Sequence, residues 1–317
     1  MSAEQKKLVI ISGPTATGKS ELAIGLALRF KSQGITAEVI NADSAQVYRF
    51  MDIGTDKLSL EERKGVAHHL IDVVNPDEHF DAMIFRNLAL KEIEKIHQKN
   101  GIPILVGGTG FWLKVLIYGL FPGPARSQEI RQSLEKIASE KGSEILHQQL
   151  QKIDPVSAQR IHPRDAHRII RALEVFELTA KPLSAHFQNQ AQKTGFQILY
   201  LALNLDRNLL YEKINHRVEQ MLKKGFLEEV KKLREMGYGA LLPSQKIIGY
   251  RQLHEHLEGK LTLEKAVHEV KKQTRHYARR QLIWLRAEPM VNWIDPIQEK
   301  DKIFDLAEKF YRKKKND

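Results

Sequence analysis

The chain has 317 residues, 42% hydrophobic and 28% charged, and no cysteine. That composition describes an ordinary globular protein and excludes disulfides, thiolate metal sites and a cysteine nucleophile, leaving hydroxyl, carboxylate, His and Lys chemistry. The formal charge of +11 points to an anionic partner such as nucleic acid, or simply to a well-solvated basic surface. No run of apolar residues is long enough for a membrane span, and the start "MSAEQKKLVIISG" lacks the pattern of a secretory signal, so a cytoplasmic protein is expected.

In chain order, "LVIIS", "AEVIN" and "IPILVG" read as buried strands separated by amphipathic segments, the pattern of a parallel sheet covered by helices. Phe85, Leu88, Ile93 and Ile96 mark one face of a helix that Asn100-Gly101 ends. "FPGPARS" is a breaker, and from Phe121 to about Gln192 the periodicity is helical throughout. "FQILYLALNL" returns to strand. Leu210, Ile214, Val218 and Met221 then stripe a helix, Gly225 interrupts it, and a further helix ends near Gly237 and Gly239. A last long helix covers about Thr262 to Arg286. The fold class expected is α/β: a P-loop NTPase-like parallel sheet flanked by helices, formed by residues 1–122 and 196–317, with an all-helical insertion over 123–195.

Between the first strand and the helical run "ELAIGLALRF" lies Gly13-x-x-x-x-Gly18-Lys19-Ser20, the spacing of a phosphate loop in the context it requires. Backbone N–H groups of Thr15, Ala16, Thr17 and Gly18, with the positive end of the helix dipole, suit phosphate oxygens. Lys19 neutralises them, and the Ser20 hydroxyl suits Mg²⁺. Asp43 directly follows the second strand, on the carboxyl rim that the loop also occupies. It is a candidate to accept a proton from a nucleophile beside the phosphates, or alternatively a helix cap or magnesium ligand. Asp72 in "HHLID" rivals it for the metal. The third strand ends "LVGGTGFW", where Gly107 and Gly108 permit close backbone approach and Thr109 offers a hydroxyl, or the stretch is a plain turn. No Asn-Lys-x-Asp motif is present, which disfavours a GTPase. In the last helix Arg275, Arg279 and Arg286 fall within about 40° of one another, beside an apolar stripe of Ala278, Leu282 and Leu285. Such a face suits nucleic-acid phosphates, or solvent.

Taken together, "GPTATGKS", "NADSAQVYRFMDIGTDK", "HHLID", "LVGGTGFW", "RIIRALEVFE", "KIIGYRQLHEHLEGK" and "KKQTRHYARRQLIWLR" resemble the bacterial tRNA dimethylallyltransferases over residues 8 to 295. The resemblance implies transfer of a dimethylallyl group from dimethylallyl diphosphate to N6 of adenosine 37 in the tRNA anticodon loop, with the loop holding diphosphate and Mg²⁺. It implies a general base at Asp43, and Thr109 and Arg131 near the reacting centre. RNA contacts are implied at Asp43, Ser44, Ala45 and Gln46, at His167, Arg168, Ile169, Ile170 and Arg171, and at Lys246, Gly249, Tyr250 and Arg251. A monomer is expected.

Three departures from the family pattern stand out. Phe111-Trp112 replaces a common Leu-Tyr, which suggests a reshaped but still aromatic wall of the prenyl channel. Ile84 stands where Asp is common, and His167 where Gln is usual, which weakens a cap and a base contact respectively. Other readings of the same residues are a P-loop kinase or NTPase acting on a small molecule, an isopentenyltransferase acting on free AMP, and an RNA-binding module without catalysis. The free-AMP enzyme would need neither the helical insertion nor the basic last helix.

Overall fold

The computed structural model describes residues 6–119, 123–124, 127–188 and 195–313. Parts of "FPGPARS", of the amino-terminal start and of the tail "YRKKKND" lie outside the described residues. The chain forms two compact units, Met1–Leu116 with Gly195–Asp317, and Ile117–Thr194.

The first unit is built on β1 (Lys7–Ser12), β2 (Ala37–Asn41), β3 (His68–His69), β4 (Ile102–Gly107), β5 (Gln197–Leu203) and β6 (Val291–Ile294), all parallel in the order β3-β2-β4-β1-β5-β6. β1 is central, pairing Val9 with Ile104 on one side and with Leu199 on the other. A parallel sheet is covered on both faces, which is why Leu8 to Ile11 are apolar without alternation and fully buried. Four strands, β1, β2, β4 and β5, match the sequence reading. The short β3 and β6, and the helix α13 (Lys300–Arg312) that buries Ile303 and Ala307, are additions to it. β6 has four residues and one buried position, too little periodicity to be told from a loop.

After β1 the chain runs through α1 (Lys19–Ser32) to β2 on one side, whereas after β4 it eventually crosses to β5 on the other. The carboxyl ends of β1 and β4 are therefore a switch point, the place where open α/β sheets form a ligand crevice. α2 (Ala82–Gln98) covers the sheet between β3 and β4. It is capped by Asp81, which accepts the N–H groups of Met83 and Ile84 at 2.9 and 3.0 Å, so the missing acid at position 84 costs the helix nothing. α9 (Arg207–Lys223), α10 (Phe226–Glu235), α11 (Tyr250–Leu257) and α12 (Leu263–Arg286) complete the unit.

The second unit holds α4 (Gln128–Lys141), α5 (Ser143–Ile153), α6 (Pro155–Arg160), α7 (Ala166–Thr179) and α8 (Leu183–Gln188), while α3 (Gly110–Tyr118) leads into it. Its core joins Leu134, Leu146, Leu150, Ile169, Ile170 and Leu173. One carboxylate sits within it: Glu174 is completely buried and accepts the Ser127 N–H at 2.9 Å, Arg131 Nε at 3.2 Å and Arg171 Nη1 at 2.7 Å. Burial alone would raise its pKa. The bonds from Arg171, Ser127 and Arg131 outweigh that and hold the carboxyl below its usual range.

Removing one partner of a buried ionic cluster leaves the others uncompensated. Glu174→Ala is accordingly expected to destabilise the helical unit by about 3–5 kcal/mol, read as faster hydrogen exchange along α4 and α7. Exchange unchanged in both helices would show the cluster to be dispensable.

Candidate active site

β1 delivers the chain to the switch point at Ser12, whose hydroxyl donates to the Gly107 carbonyl at 2.7 Å. Gly13 follows with φ 152°, and a Cβ there would meet the Leu203 carbonyl at 2.9 Å, so the turn needs glycine for space as well as for conformation. Ala16 (φ 65°) and Gly18 (φ 82°) adopt left-handed backbone, wrapping the loop into a concave arc. Thr17 is buried and braces the arc with a 2.8 Å bond to the Pro14 carbonyl. Gly18 is the cap of α1 and offers no side-chain acceptor, so the first-turn amides of that helix are left for an anion.

Lys19 curls over the arc and donates to the Pro14 carbonyl at 2.7 Å. Its ammonium is pushed down to about 8, first by burial and then by the Arg217 charge, against the opposing pull of Asp43 and Asp56. Arg217, on α9, donates to the Thr15 hydroxyl at 2.7 Å and pairs with Asp56 at 3.2 Å.

Beside the loop, β2 ends in Asn41, whose amide side chain organises the next turn. Its Oδ1 accepts the Asp43 N–H at 3.2 Å, and its Nδ2 donates to the Leu70 carbonyl at 3.0 Å. Asp43 Oδ1 in turn accepts the Ala45 N–H at 2.8 Å, an Asx turn rather than a helix cap, since no helix follows. Thr109 clamps this turn to the end of β4, accepting the Ser44 N–H at 3.0 Å and reaching the Ser44 hydroxyl at 3.3 Å. Close approach is possible because β4 ends in glycine: a Cβ on Gly107 would lie 2.2 Å from the Ala42 carbonyl oxygen. From α12, the half-buried Tyr277 hydrogen-bonds Thr109. Its phenol is held protonated by burial first and by the neighbouring Asp43 charge second.

Thr15, Lys19, Ser20, Asp43, Arg217 and Tyr277 all line one cleft open to solvent, and Val39, Leu58, Ile71 and Val106 line its apolar part. The sequence-selected Lys19, Ser20 and Asp43 thus converge. Asp72 does not line it: Asp72 is bound at 2.6 Å by Lys57, which also holds Asp52. The described residues contain no group of three or more His, Asp or Glu side chains able to hold a metal. Phe111 and Trp112 are not part of this cleft either. Trp112 is buried against Phe85, with ring centroids 4.5 Å apart, and Phe111 is exposed with its edge to Trp284.

Among the residues expected at RNA, three have buried side chains. Ile169 and Ile170 belong to the core of the helical unit, and Tyr250 is fully buried, donating to Glu229 at 2.6 Å. Their side chains cannot touch RNA in this fold, because the apolar spacing that places them on helices also turns them inward. Gly249 is buried too, with a virtual Cβ 2.8 Å from the Phe226 ring. Arg131 and Arg171 are spent on Glu174, and Arg171 also donates to the Pro124 carbonyl at 3.2 Å. Gln46 bonds the Thr55 carbonyl at 3.0 Å, while Ser44 and Ala45 form the Asp43 turn. Exposed side chains remain at His167, Arg168, Lys246, Arg251 and Arg279, and Arg275 is half-buried against Asn215.

The sequence reading missed Asp56, Arg217, Tyr277 and Gln281 as cleft residues. Arg217 adjoins the apolar stripe of α9 without any motif around it. Tyr277 and Gln281 are four apart, a polar pair on one face of α12 flanked by the buried Ala278 and Leu285. That spacing was the available signal.

The family model for IPP transferase matches residues 46–288. The chain is 45% identical to a tRNA dimethylallyltransferase of Carboxydothermus hydrogenoformans over 296 residues, 93% of each chain. It is 44% identical to one of Geobacter sulfurreducens over 312 residues, 98% of each. The crystal structure of a full-length tRNA isopentenylpyrophosphate transferase from Bacillus halodurans aligns with TM-score 0.71 at 39% identity, covering 96% of this chain and 97% of that one. That of a eukaryotic dimethylallyltransferase acting on tRNA aligns with TM-score 0.79 at 30% identity, covering 98% and 81%. With a phosphate loop and a carboxylate turn on one rim, and with these relatives, the chain belongs to the tRNA dimethylallyltransferase family of prenyl-transferring enzymes.

Proposed function

We propose that the chain transfers a dimethylallyl group from dimethylallyl diphosphate to N6 of adenosine 37 of tRNA, releasing pyrophosphate. The observation that carries this reading is the single cleft in which a phosphate arc, an apolar wall and the Asp43 carboxylate meet. The diphosphate takes the arc formed by Gly13, Thr15, Ala16, Thr17, Gly18 and Lys19, and the five-carbon chain takes the apolar part. The target base is stacked within the anticodon loop in free tRNA and must be extruded to reach the cleft.

An exocyclic aromatic amine is a weak nucleophile, so a carboxylate that takes its proton as the N–C bond forms lowers the barrier. Asp43 holds that role. The Ala45 N–H fixes one of its oxygens, and Thr109 and Tyr277 fix the turn around it. As the C–O bond to the diphosphate breaks, negative charge gathers on the leaving group. Lys19 and Arg217 line the cleft that receives it and, with the loop amides, supply the opposing charge. Mg²⁺ fits here as an ion carried by the diphosphate: the cleft offers the Ser20 hydroxyl and carboxylates, hard oxygen donors but no protein cage. When bound, it neutralises charge on the leaving pyrophosphate.

For RNA, the outer side of α12 supplies the cations. Arg279 and Arg286, with Arg207 and Tyr211 of α9, line a second surface cleft. His167, Arg168, Lys246 and Arg251 are further exposed contacts. Phosphate neutralisation by such groups positions the stem, and the extruded base is read inside the cleft.

Labelled dimethylallyl diphosphate, Mg²⁺ and unmodified tRNA should give a product whose label maps to nucleotide 37. ATP hydrolysis at the loop with no labelled RNA would replace this reading by an NTPase. Asp43→Asn should cut turnover about 10²-fold or more and leave tRNA affinity within about twofold. Normal turnover would remove Asp43 from the chemistry. Arg279→Ala should weaken tRNA binding and flatten its salt dependence by about one unit of slope, and an unchanged slope would return that face to solvent.

The depressed Lys19 gives a pH signature. Below about 8 the ammonium is already charged and anion binding changes nothing at this group, whereas above 8 it is neutral in the free protein and must take up a proton. Pyrophosphate affinity should therefore fall as pH rises through 8, with proton uptake seen by calorimetry in buffers of different ionisation enthalpy. Both effects are counted as the difference from Lys19→Met, and identical behaviour of the two proteins would exclude Lys19 from the anion site.

A further inference from the structure

Gln281 joins two glycine-rich turns through one side chain. Its Oε1 accepts the Thr15 N–H at 2.9 Å, and its Nε2 donates to the Gly108 carbonyl at 2.9 Å. The residue is 6% exposed, and a Cβ on Gly108 would stand 2.0 Å from Nε2, so the carboxamide seats only against glycine. Acceptance and donation at this reach are a property of glutamine: glutamate has no donor when ionised, methionine has neither group, and asparagine is one methylene short.

Two facts turn this bridge into more than a packing detail. Thr15 stands at the start of the arc, where its N–H is taken by Gln281 rather than left for an anion, and its hydroxyl is held by Arg217. The helix carrying Gln281 is the 24-residue α12, whose opposite side presents Arg279 and Arg286 to solvent. One stiff element therefore has one face seated in the anion arc and the other face cationic and open.

We propose that Gln281 is a positioning residue that links the two binding events, so that a polyanion on the outer face of α12 and a diphosphate in the arc each strengthen the binding of the other. The inference rests on the reading of the arc as the diphosphate site and of α12 as the RNA face. RNA held by the outer arginines immobilises α12. Through the carboxamide this fixes the Thr15 amide and the Gly108 turn, and the diphosphate then enters an arc whose ordering cost has been met. Linkage makes the effect equal in both directions.

The test is a binding square with inorganic pyrophosphate, Mg²⁺ and unmodified tRNA, measured on the full chain, Gln281→Met and Gln281→Glu. The full chain should show a coupling of about five- to tenfold, the same whichever ligand is added first. In Gln281→Met the coupling should fall to within about twofold of unity while tRNA affinity measured alone moves less than about twofold, a pattern that loss of packing by itself does not produce. Gln281→Glu, nearly isosteric, keeps the acceptor and loses the donor, and should lose at least half of the coupling free energy. It carries the test if the methionine variant fails to fold. A full chain without coupling, or variants that retain all of it, would overturn the proposal. Pyrophosphate binding that ignores Lys19→Met would instead overturn the underlying assignment of the arc.

Discussion

The closeness of two backbones at the rim of the sheet is the constraint on which this site depends. Gly107 ends β4 so near to Ala42 that any side chain would overlap the Ala42 carbonyl. That approach puts Thr109 within hydrogen-bond reach of the Asp43 turn, and the Ser12 bond to the Gly107 carbonyl puts the phosphate arc alongside. Strands in parallel register fix where the three turns emerge, and glycine lets them touch. Because the three turns leave the ends of neighbouring strands, the sheet holds the Asp43 turn, Thr109 and the Gly13 loop side by side.

Charge in the cleft is arranged in opposition. Lys19 and Arg217 repel one another across the arc, and Asp43 and Asp56 partly compensate. Burial first, and then this crowding, hold the Lys19 ammonium down to about 8. Burial first, and the Asp43 charge second, keep the Tyr277 phenol protonated, and therefore a hydrogen-bond donor rather than a competing base.

A second brace holds the segment that carries the Asp43 turn onward. Glu229 of α10 accepts three consecutive N–H groups, from Asp52 at 2.9 Å, Ile53 at 2.6 Å and Gly54 at 3.1 Å, as well as the Tyr250 hydroxyl. A carboxylate satisfied this fully anchors an otherwise irregular stretch to the helices beyond β5. The motif "KIIGYRQ" is thus in large part architectural: Gly249 makes room for Phe226, and Tyr250 fills the space beneath Gly54, while Lys246 and Arg251 are the members left facing solvent.

The turn from Gly13 to Ser20 was legible in the sequence, because consecutive residues and their glycine spacing set a local backbone path. The parallel sheet was legible from continuous apolar runs, the helical insertion from its 3.6-residue period, and the family from ordered motifs that span most of the chain. Asp43 could be placed on the correct rim, since the rim follows from strand direction, but whether it capped a helix or stood in a turn depended on what came after. Arg217, Tyr277 and Gln281 became site residues only in the folded chain. Arg217 and Gln281 lie about two hundred or more positions from Thr15 and reach it through the packing of α9 and α12, and α12 brings Tyr277 to Thr109, contacts that no local period reports. Ile169, Ile170 and Tyr250 went the other way, from an expected RNA surface to the core, because a motif records which residues occur together and not which way each side chain turns. Local chemistry was settled by adjacency in the chain; convergence and burial were settled by which helix faces found apolar partners.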